Sequence, residues 1–289
     1  MLTILVKGYI VMNKFTVGVI QIDSKDDVNS NLLVVEGFIE EAVNRGAKLI
    51  CMPEGVNYVG MDSKGHAEEV PGGKTFKFFA NLAVKHNVWL HCGSIYEKSG
   101  ADDRPFNCTM IINTKGELVA KYHKIHPFDV KIKDGPSVKE SDRIRPGDEI
   151  VTVDTGAVGN LGLSICYDIR FGELYRIMAL DGVQIFLCPA DFTLNTGKDH
   201  WETLLKARAI ENGCYVIAPA QCGVKPKFTA YARSMVVDPW GNVIACASDK
   251  EGVITADIDL EYEEKVRKQI FTLDNRRPDV YTLKRTLKL

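Results

Sequence analysis

The stretch FTVGVIQI, from Phe15 to Ile22, is apolar and β-branched without helical spacing, and it predicts a strand. Leu32, Val35, Ile39 and Ala42 then recur three or four positions apart and stop before Gly46, which predicts an amphipathic helix with a marked end. KLICMPE (48–54) reads as a second strand, KTFKFFANLAVKHN (74–87) as a helix and VWLHCGSIYE (88–97) as a third strand. CTMIINTKGELVAKYHK predicts a hairpin turning at Lys115–Gly116. Residues 125–148, rich in Pro, Gly and charge, read as one long loop.

The second half repeats the rhythm. EIVTVDTG and NLGLSICY read as strands, Phe171 to Leu180 as a helix and VQIFLCPA as a strand. HWETLLKARAIENG follows as a helix beginning at His200, then CYVIAPAQ as a strand and RSMVVDPWGNVIACAS as a hairpin turning at DPWGN. GVITADIDL is the last strand and EYEEKVRKQI the last helix, before a basic tail. These runs predict an α/β protein with two sheets face to face and helices outside. Periodicity alone does not separate this from one doubly wound sheet; the two long hairpins favour the sandwich, because a purely parallel sheet has none. No linker interrupts the pattern, so residues 14–289 are expected to form a single domain behind a short extension, 1–13. In that extension Lys7 interrupts an apolar run too short to span a membrane, and the stretch lacks the features of a signal peptide. It reads as an accessory strand, a frayed end or an upstream start ahead of Met12.

Composition narrows the functional classes. A formal charge of −2 and a pI near 6.3 give no field for gathering nucleic acid or anionic lipid, so neither partner is expected. The eight cysteines (Cys51, Cys92, Cys108, Cys166, Cys188, Cys214, Cys222, Cys246) stand singly, with no CxxC pair and no histidine companion. That spacing argues against a structural zinc site, and no metal or cofactor is expected. Unpaired thiols suit the cytoplasm.

Three reactive groups follow buried runs: Glu54 after KLICMP, Lys124 after GELVAKYH and Cys166 after NLGLSI. Ligands gather at the carboxyl ends of strands in α/β architectures. A thiol near pKa 8.5 needs a base or a nearby cation to act as a nucleophile. A carboxylate can take its proton and return it to a departing amine, while an ammonium holds the negative oxygen of a tetrahedral intermediate. Each residue also has a plain structural role open to it: a capping carboxylate, a solvated lysine, a packed thiol.

MPE, YHKIHPFD, ICYDIRFGEL and HWETLLKARAIENGCYVIAPAQCG, in this order, resemble the carbon–nitrogen hydrolases of the nitrilase superfamily. The resemblance runs from Phe15 to about Tyr281, and MVVDPWGNVIA and RRPDVY point to the Nit branch, which includes ω-amidase and deaminated glutathione amidase. It implies an α-β-β-α sandwich of two mixed sheets that pairs as an αββααββα homodimer or a higher homo-oligomer. It implies Glu54, Lys124 and Cys166 as a catalytic triad, Glu140 as a second glutamate holding the lysine, and Tyr167 N–H in the oxyanion hole. Arg170 and Thr196 match residues that contact a substrate carboxylate, and the turn at His200–Trp201 falls near the mouth of the site. The expected activity is hydrolysis of a small carboxylate-bearing amide, such as a 2-oxo acid ω-amide or deaminated glutathione, through a thioester. N-carbamoyl amino acid hydrolysis and an inactive interaction module are the alternatives. YARSMVVD, where relatives commonly carry Gly-His before the serine, and RFGEL, where Pro often precedes the glutamate, leave the specificity within the branch open.

Overall fold

The computed structural model describes residues 5–6, 9–10, 12–100, 103–131 and 137–286. The first sheet orders its strands Gly252–Asp259, Lys14–Gln21, Ala47–Cys51, Trp89–His91, Phe106–Ile112 and Ile95–Glu97, with Leu118–His123 on the other side of Phe106–Ile112. The second runs Thr152–Asp154, Asn160–Leu163, Ile185–Leu187, Tyr215–Ala218, Met235–Val237 and Val243–Cys246. Both are mixed: the strands at 160, 185 and 215 are mutually parallel, and their outer neighbours antiparallel. The hairpins foreseen at Lys115–Gly116 and DPWGN are both present.

Side chains two apart along a strand share a face, and that alternation builds the layers. Ile20, Ile50, Met52 and Leu90 pack with Leu32, Val35, Ile39 and Ala42 of α1 (Val28–Asn44) and with Phe79 and Leu82 of α2 (Lys74–His86). Val17, Val19, Leu49 and Cys51, on the opposite face, join one buried cluster with Leu161, Leu163, Ile185 and Leu187 of the second sheet. That cluster continues into Leu174, Tyr175 and Met178 of α3 (Gly172–Leu180) and Trp201, Leu205 and Ala209 of α4 (Leu194–Asn212). Each fully buried Leu, Ile or Val contributes roughly 1.5–3 kcal/mol, so the four layers α-β-β-α follow from keeping both faces of each sheet covered. The last helix, α5 (Leu260–Arg267), opens on Asp259, whose side chain accepts from Tyr262 N–H.

Several elements differ from the reading of the sequence. VWLHCGSIYE is not one strand, because the chain breaks at Gly93 to back onto the Pro53 carbonyl. Gly93 has φ +39°, and a Cβ there would lie 2.0 Å from Pro53 O, so no other residue fits. The stretch after Lys124 is not wholly irregular: Asp129–Lys131 pairs with Ser137–Lys139, and a 3₁₀ turn follows at Glu140–Asp142. α4 begins at Leu194 rather than His200, its first turn being too polar to show an apolar period. In the extension, Leu5–Val6 pairs antiparallel with Tyr9–Ile10, and Met12 N–H reaches Ala157 O at 3.0 Å; the rest of 1–11 lies outside the described residues. Among the described residues no helix is long and apolar enough to cross a membrane.

Candidate active site

The strands ending at Cys51, His123, Leu163 and Leu187 deliver Glu54, Lys124, Cys166 and Asp191 to one cavity of about 110 Å³. Glu140, Tyr167 and Thr196 line it as well. Lys124 Nζ lies 2.9 Å from Glu54 Oε1 and 2.9 Å from Glu140 Oε2, and is only 2% exposed. Glu54 is held on three sides: its Oε1 also accepts from Asn107 Nδ2 at 2.8 Å, and its Oε2 accepts from the Asp191 backbone N–H at 2.8 Å. Glu140 Oε2 accepts a second bond from Phe128 N–H, which fixes the end of the long excursion against the lysine.

Cys166 opens a 3₁₀ turn, Cys166–Arg170, with φ +49°, a left-handed conformation that a non-glycine residue adopts only when its surroundings impose it. Its N–H donates to Pro189 O at 2.8 Å. The other restraint is Asp168, which is fully buried. Asp168 Oδ2 accepts from Tyr122 OH at 2.7 Å and from Ile165 N–H at 2.8 Å; Oδ1 faces the His126 backbone N–H at 3.1 Å and Nδ1 at 2.7 Å. Asp168 therefore ties the cysteine turn to the residues either side of Lys124.

The electrostatics assign a resting protonation state. Burial alone would lower the Lys124 pKa, but the charges of Glu140 and Glu54 override it and hold the ammonium well above its ordinary range. Burial would raise Glu54; the Lys124 charge and the Asp191 N–H outweigh it, and Glu54 stays a carboxylate. Burial and then the Glu54 charge push the Cys166 thiol well up against the opposing pull of Lys124. The site at rest is a thiol facing a carboxylate base, with an ammonium beside both.

Arg170 is not brought into the lining. Its guanidinium lies 5.1 Å from the centre of the Phe192 ring and 5.6 Å from that of Tyr167, behind the two rings that do line the cavity, with Nη1 at 3.3 Å from His200 Nδ1. Thr196 does line it, with its Oγ1 at 3.0 Å from Thr193 Oγ1. The cavity gains groups that the sequence reading passed over: Arg143, Asp191, Lys225 and Lys227. Asp191 follows a strand end just as Glu54 and Cys166 do, so the same signal could have found it. Among the described residues Glu97, Cys108 and His123 come close enough to share an ion, but Glu97 already accepts from Lys121 Nζ at 2.5 Å and faces His123 Nε2 at 2.6 Å. The chemistry of that cluster is an ion pair.

A layered α/β fold with a thiol, two carboxylates and a buried ammonium at its strand ends defines a hydrolase of carbon–nitrogen bonds, and residues 16–268 match the family described as Carbon-nitrogen hydrolase, to which the chain belongs. It is 37% identical over 269 residues to a deaminated glutathione amidase of Synechocystis, covering 92% of this chain and 99% of that one. It is 38% identical over 271 residues to the nitrilase and fragile histidine triad fusion protein NitFhit of Caenorhabditis elegans, covering 92% of this chain but only 62% of the fusion protein's length. Among solved structures, Saccharomyces cerevisiae Nit3, a member of branch 10 of the nitrilase superfamily, superposes with a TM-score of 0.84 at 32% identity, over 92% of this chain and 98% of that one. The protein is an enzyme of this family that acts on amides.

Asp191 generates a stability prediction. Burial, with Glu54 adding to it and Lys225 opposing, raises its carboxyl to about 7 from an ordinary 3.8. A folded-state pKa above the unfolded one means that ionisation opposes folding. The penalty is absent below the unfolded value, grows as pH rises toward 7, and above that is worth up to roughly 4 kcal/mol. Asp191→Asn should therefore raise the melting temperature at pH 8 and leave it nearly unchanged at pH 4. Equal effects at both pH values in calorimetry would contradict this.

Proposed function

We propose that the protein hydrolyses a small carboxylate-bearing amide through a thioester on Cys166, with Glu54 as general base and acid. The observation that carries this is the pair of 2.9 Å contacts from the buried Lys124 ammonium to Glu54 and Glu140, beside the Cys166 thiol. Cys166 Sγ attacks the amide carbon as its proton passes to Glu54. The oxygen, now negative, is held by Lys124 and the Tyr167 N–H, in a first helical turn whose N–H groups have no intrahelical acceptor. Collapse breaks the C–N bond, and Glu54 gives its proton to the departing nitrogen. Water, deprotonated by Glu54, then cleaves the thioester; the acid leaves, and the departing Cys166 sulfur takes the proton back from Glu54. Proton transfer of this kind is worth roughly 10²–10⁴ in rate, and one oxyanion donor on the order of 10²–10³. Glu140 acts through Lys124, fixing its position and its charge.

The substrate class is that of ω-amides of short carboxylic acids, to which the 2-oxo acid ω-amides and deaminated glutathione belong; relatives named for the latter support it. Arg170, to which the resemblance gives the substrate carboxylate, would reach it only by leaving Phe192 and His200. Arg143 lines the cavity, with no hydrogen bond or ion pair for its guanidinium among the described residues, and is the better receptor, with Thr196 lining the same cavity.

A homodimer formed through α4 is supported by the exposed apolar side chains Leu194, Ile210, Trp240 and Ile244, with Gly241 lying against Ile210. Eight free thiols support a reducing, cytoplasmic setting.

Cys166→Ala should fold and assemble normally while ammonia release falls to background, and the parent enzyme with a slow substrate should show an acyl adduct on Cys166 by mass spectrometry. Turnover at the parent rate in Cys166→Ala would overturn the mechanism. Arg143→Ala should raise KM about tenfold or more, the equivalent of about 1.4 kcal/mol, and Arg170→Ala less; the reverse order would return the carboxylate to Arg170. Light scattering should give twice the chain mass, reduced to one by Ile210→Lys, and a monomeric parent would refute the pairing.

A further inference from the structure

The carboxyl group of Asp191 has no use in the mechanism above, which needs only its backbone N–H. Asp191, partly buried, nonetheless lines the catalytic cavity, and neither of its carboxylate oxygens has a hydrogen-bond partner among the described residues; Oδ1 is the buried one of the two. Buried carboxylates are normally paired, and one left unpaired inside a reactive cavity marks a place where a ligand supplies the partner.

None of the lysines that line the cavity, Lys124, Lys225 and Lys227, makes a hydrogen bond or ion pair to it among the described residues. Lys225, the nearest by charge, is saturated elsewhere: its Nζ lies 3.0 Å from Asp23 Oδ1, 3.2 Å from Ser24 O and 2.7 Å from Gln221 Oε1. Lys124 is divided between Glu54 and Glu140. Glu54 and Glu140 are already paired with Lys124, and the one carboxylate left beside these ammonium groups is a poor site for a divalent cation, which calls for several oxygen ligands. What remains is a donor carried by the substrate. The same cavity is lined by Arg143, whose guanidinium has no partner among the described residues, so the two groups together ask for a cation and an anion on one small molecule.

We propose that Asp191 is a specificity-determining residue that receives a substrate ammonium, so that the substrate of this enzyme is the side-chain amide of an α-amino acid. The inference rests on the amidase reading and, within the ω-amides, takes the amino members over the deaminated type for which relatives are named. The 2-oxo counterpart of such an amide places a carbonyl oxygen where the ammonium would stand, and it would meet the Asp191 carboxylate oxygen to oxygen. An N-carbamoyl amino acid has its nitrogen acylated and offers no cation either. The substrate's ammonium would be held by Asp191 and its carboxylate by Arg143, leaving the amide carbon free to meet Cys166.

The test compares matched pairs at pH 8: L-glutamine with 2-oxoglutaramate, and L-asparagine with 2-oxosuccinamate, following ammonia release by the full-length parent and by Asp191→Asn and Asp191→Ala. The parent should favour the amino member in kcat/KM by tenfold or more. In both variants that ratio should move toward the oxo member by at least tenfold, mostly through KM. A ratio is independent of the fraction of correctly folded enzyme, so a poorly folding variant still reports. A parent that prefers the oxo member, or a ratio that Asp191→Asn and Asp191→Ala leave unchanged, overturns the assignment while the amidase reading stands. A parent that hydrolyses neither member of either pair, with Cys166 remaining unacylated, removes that reading and this inference with it.

Discussion

The buried ammonium of Lys124 is the constraint around which the rest of the site is arranged. A lysine removed from water survives as a cation only where carboxylates stand close by, and two of them do, each at 2.9 Å. Those partners come from different parts of the chain: Glu54 from the end of a strand of the first sheet, Glu140 from the turn that closes the excursion after Lys124 itself. Removing one partner of a buried pair typically costs about 3–5 kcal/mol, because the remaining charge is left uncompensated. The pairing therefore fixes geometry as well as charge. Glu54 cannot swing away from the thiol without stranding the lysine.

The second sheet is joined to this centre by a different charge. Asp168 is fully buried and spends both oxygens on groups that flank Lys124 or begin the cysteine turn. That explains the abrupt polarity of YDIR after an apolar strand: one carboxylate links two sheets where hydrophobic packing alone would allow them to slide. Gln221 performs a similar task behind Glu54, its Nε2 donating to Glu54 O at 3.0 Å and to Ser24 Oγ at 2.8 Å. The positive φ of Cys166 persists because these bonds over-determine the turn.

What could be read from the sequence followed from how local the cause is. The strand of Phe15, the amphipathic spacing of α1 and both hairpins are set by neighbouring residues, and they stand where expected. The break at Gly93 depends on the Pro53 carbonyl, some forty positions away, and leaves no mark in the pattern. Glu54, Lys124 and Cys166 were visible as polar groups ending buried runs, whereas Glu140 was reachable only through family resemblance, because a carboxylate in an irregular stretch looks like any other. Arg170 shows the opposite case. The resemblance gives it the substrate carboxylate, but Phe192 and His200, far along the chain, decide where its guanidinium rests, and it does not line the cavity. Arg143 faces the cavity because Glu140 must reach Lys124 and the 3₁₀ turn carries the following residues inward, a consequence that spacing alone does not reveal.

Asp191 separates the two kinds of work done at one position. Its backbone N–H holds Glu54 Oε2, a bond any residue but proline could make, so the placing of Glu54 depends on where the main chain runs and not on which side chain it carries. The side chain is thereby free to face the substrate. Tyr167 would divide in the same way under the proposed mechanism, its N–H serving the oxyanion while its ring lines the cavity against Phe128. A site built like this can change what it admits without disturbing how it breaks the bond. In this chain the Asp191 carboxyl opposes folding when it is ionised, and a group with that cost and no hydrogen-bond partner among the described residues makes physical sense at this position if the molecule it meets brings the opposite charge.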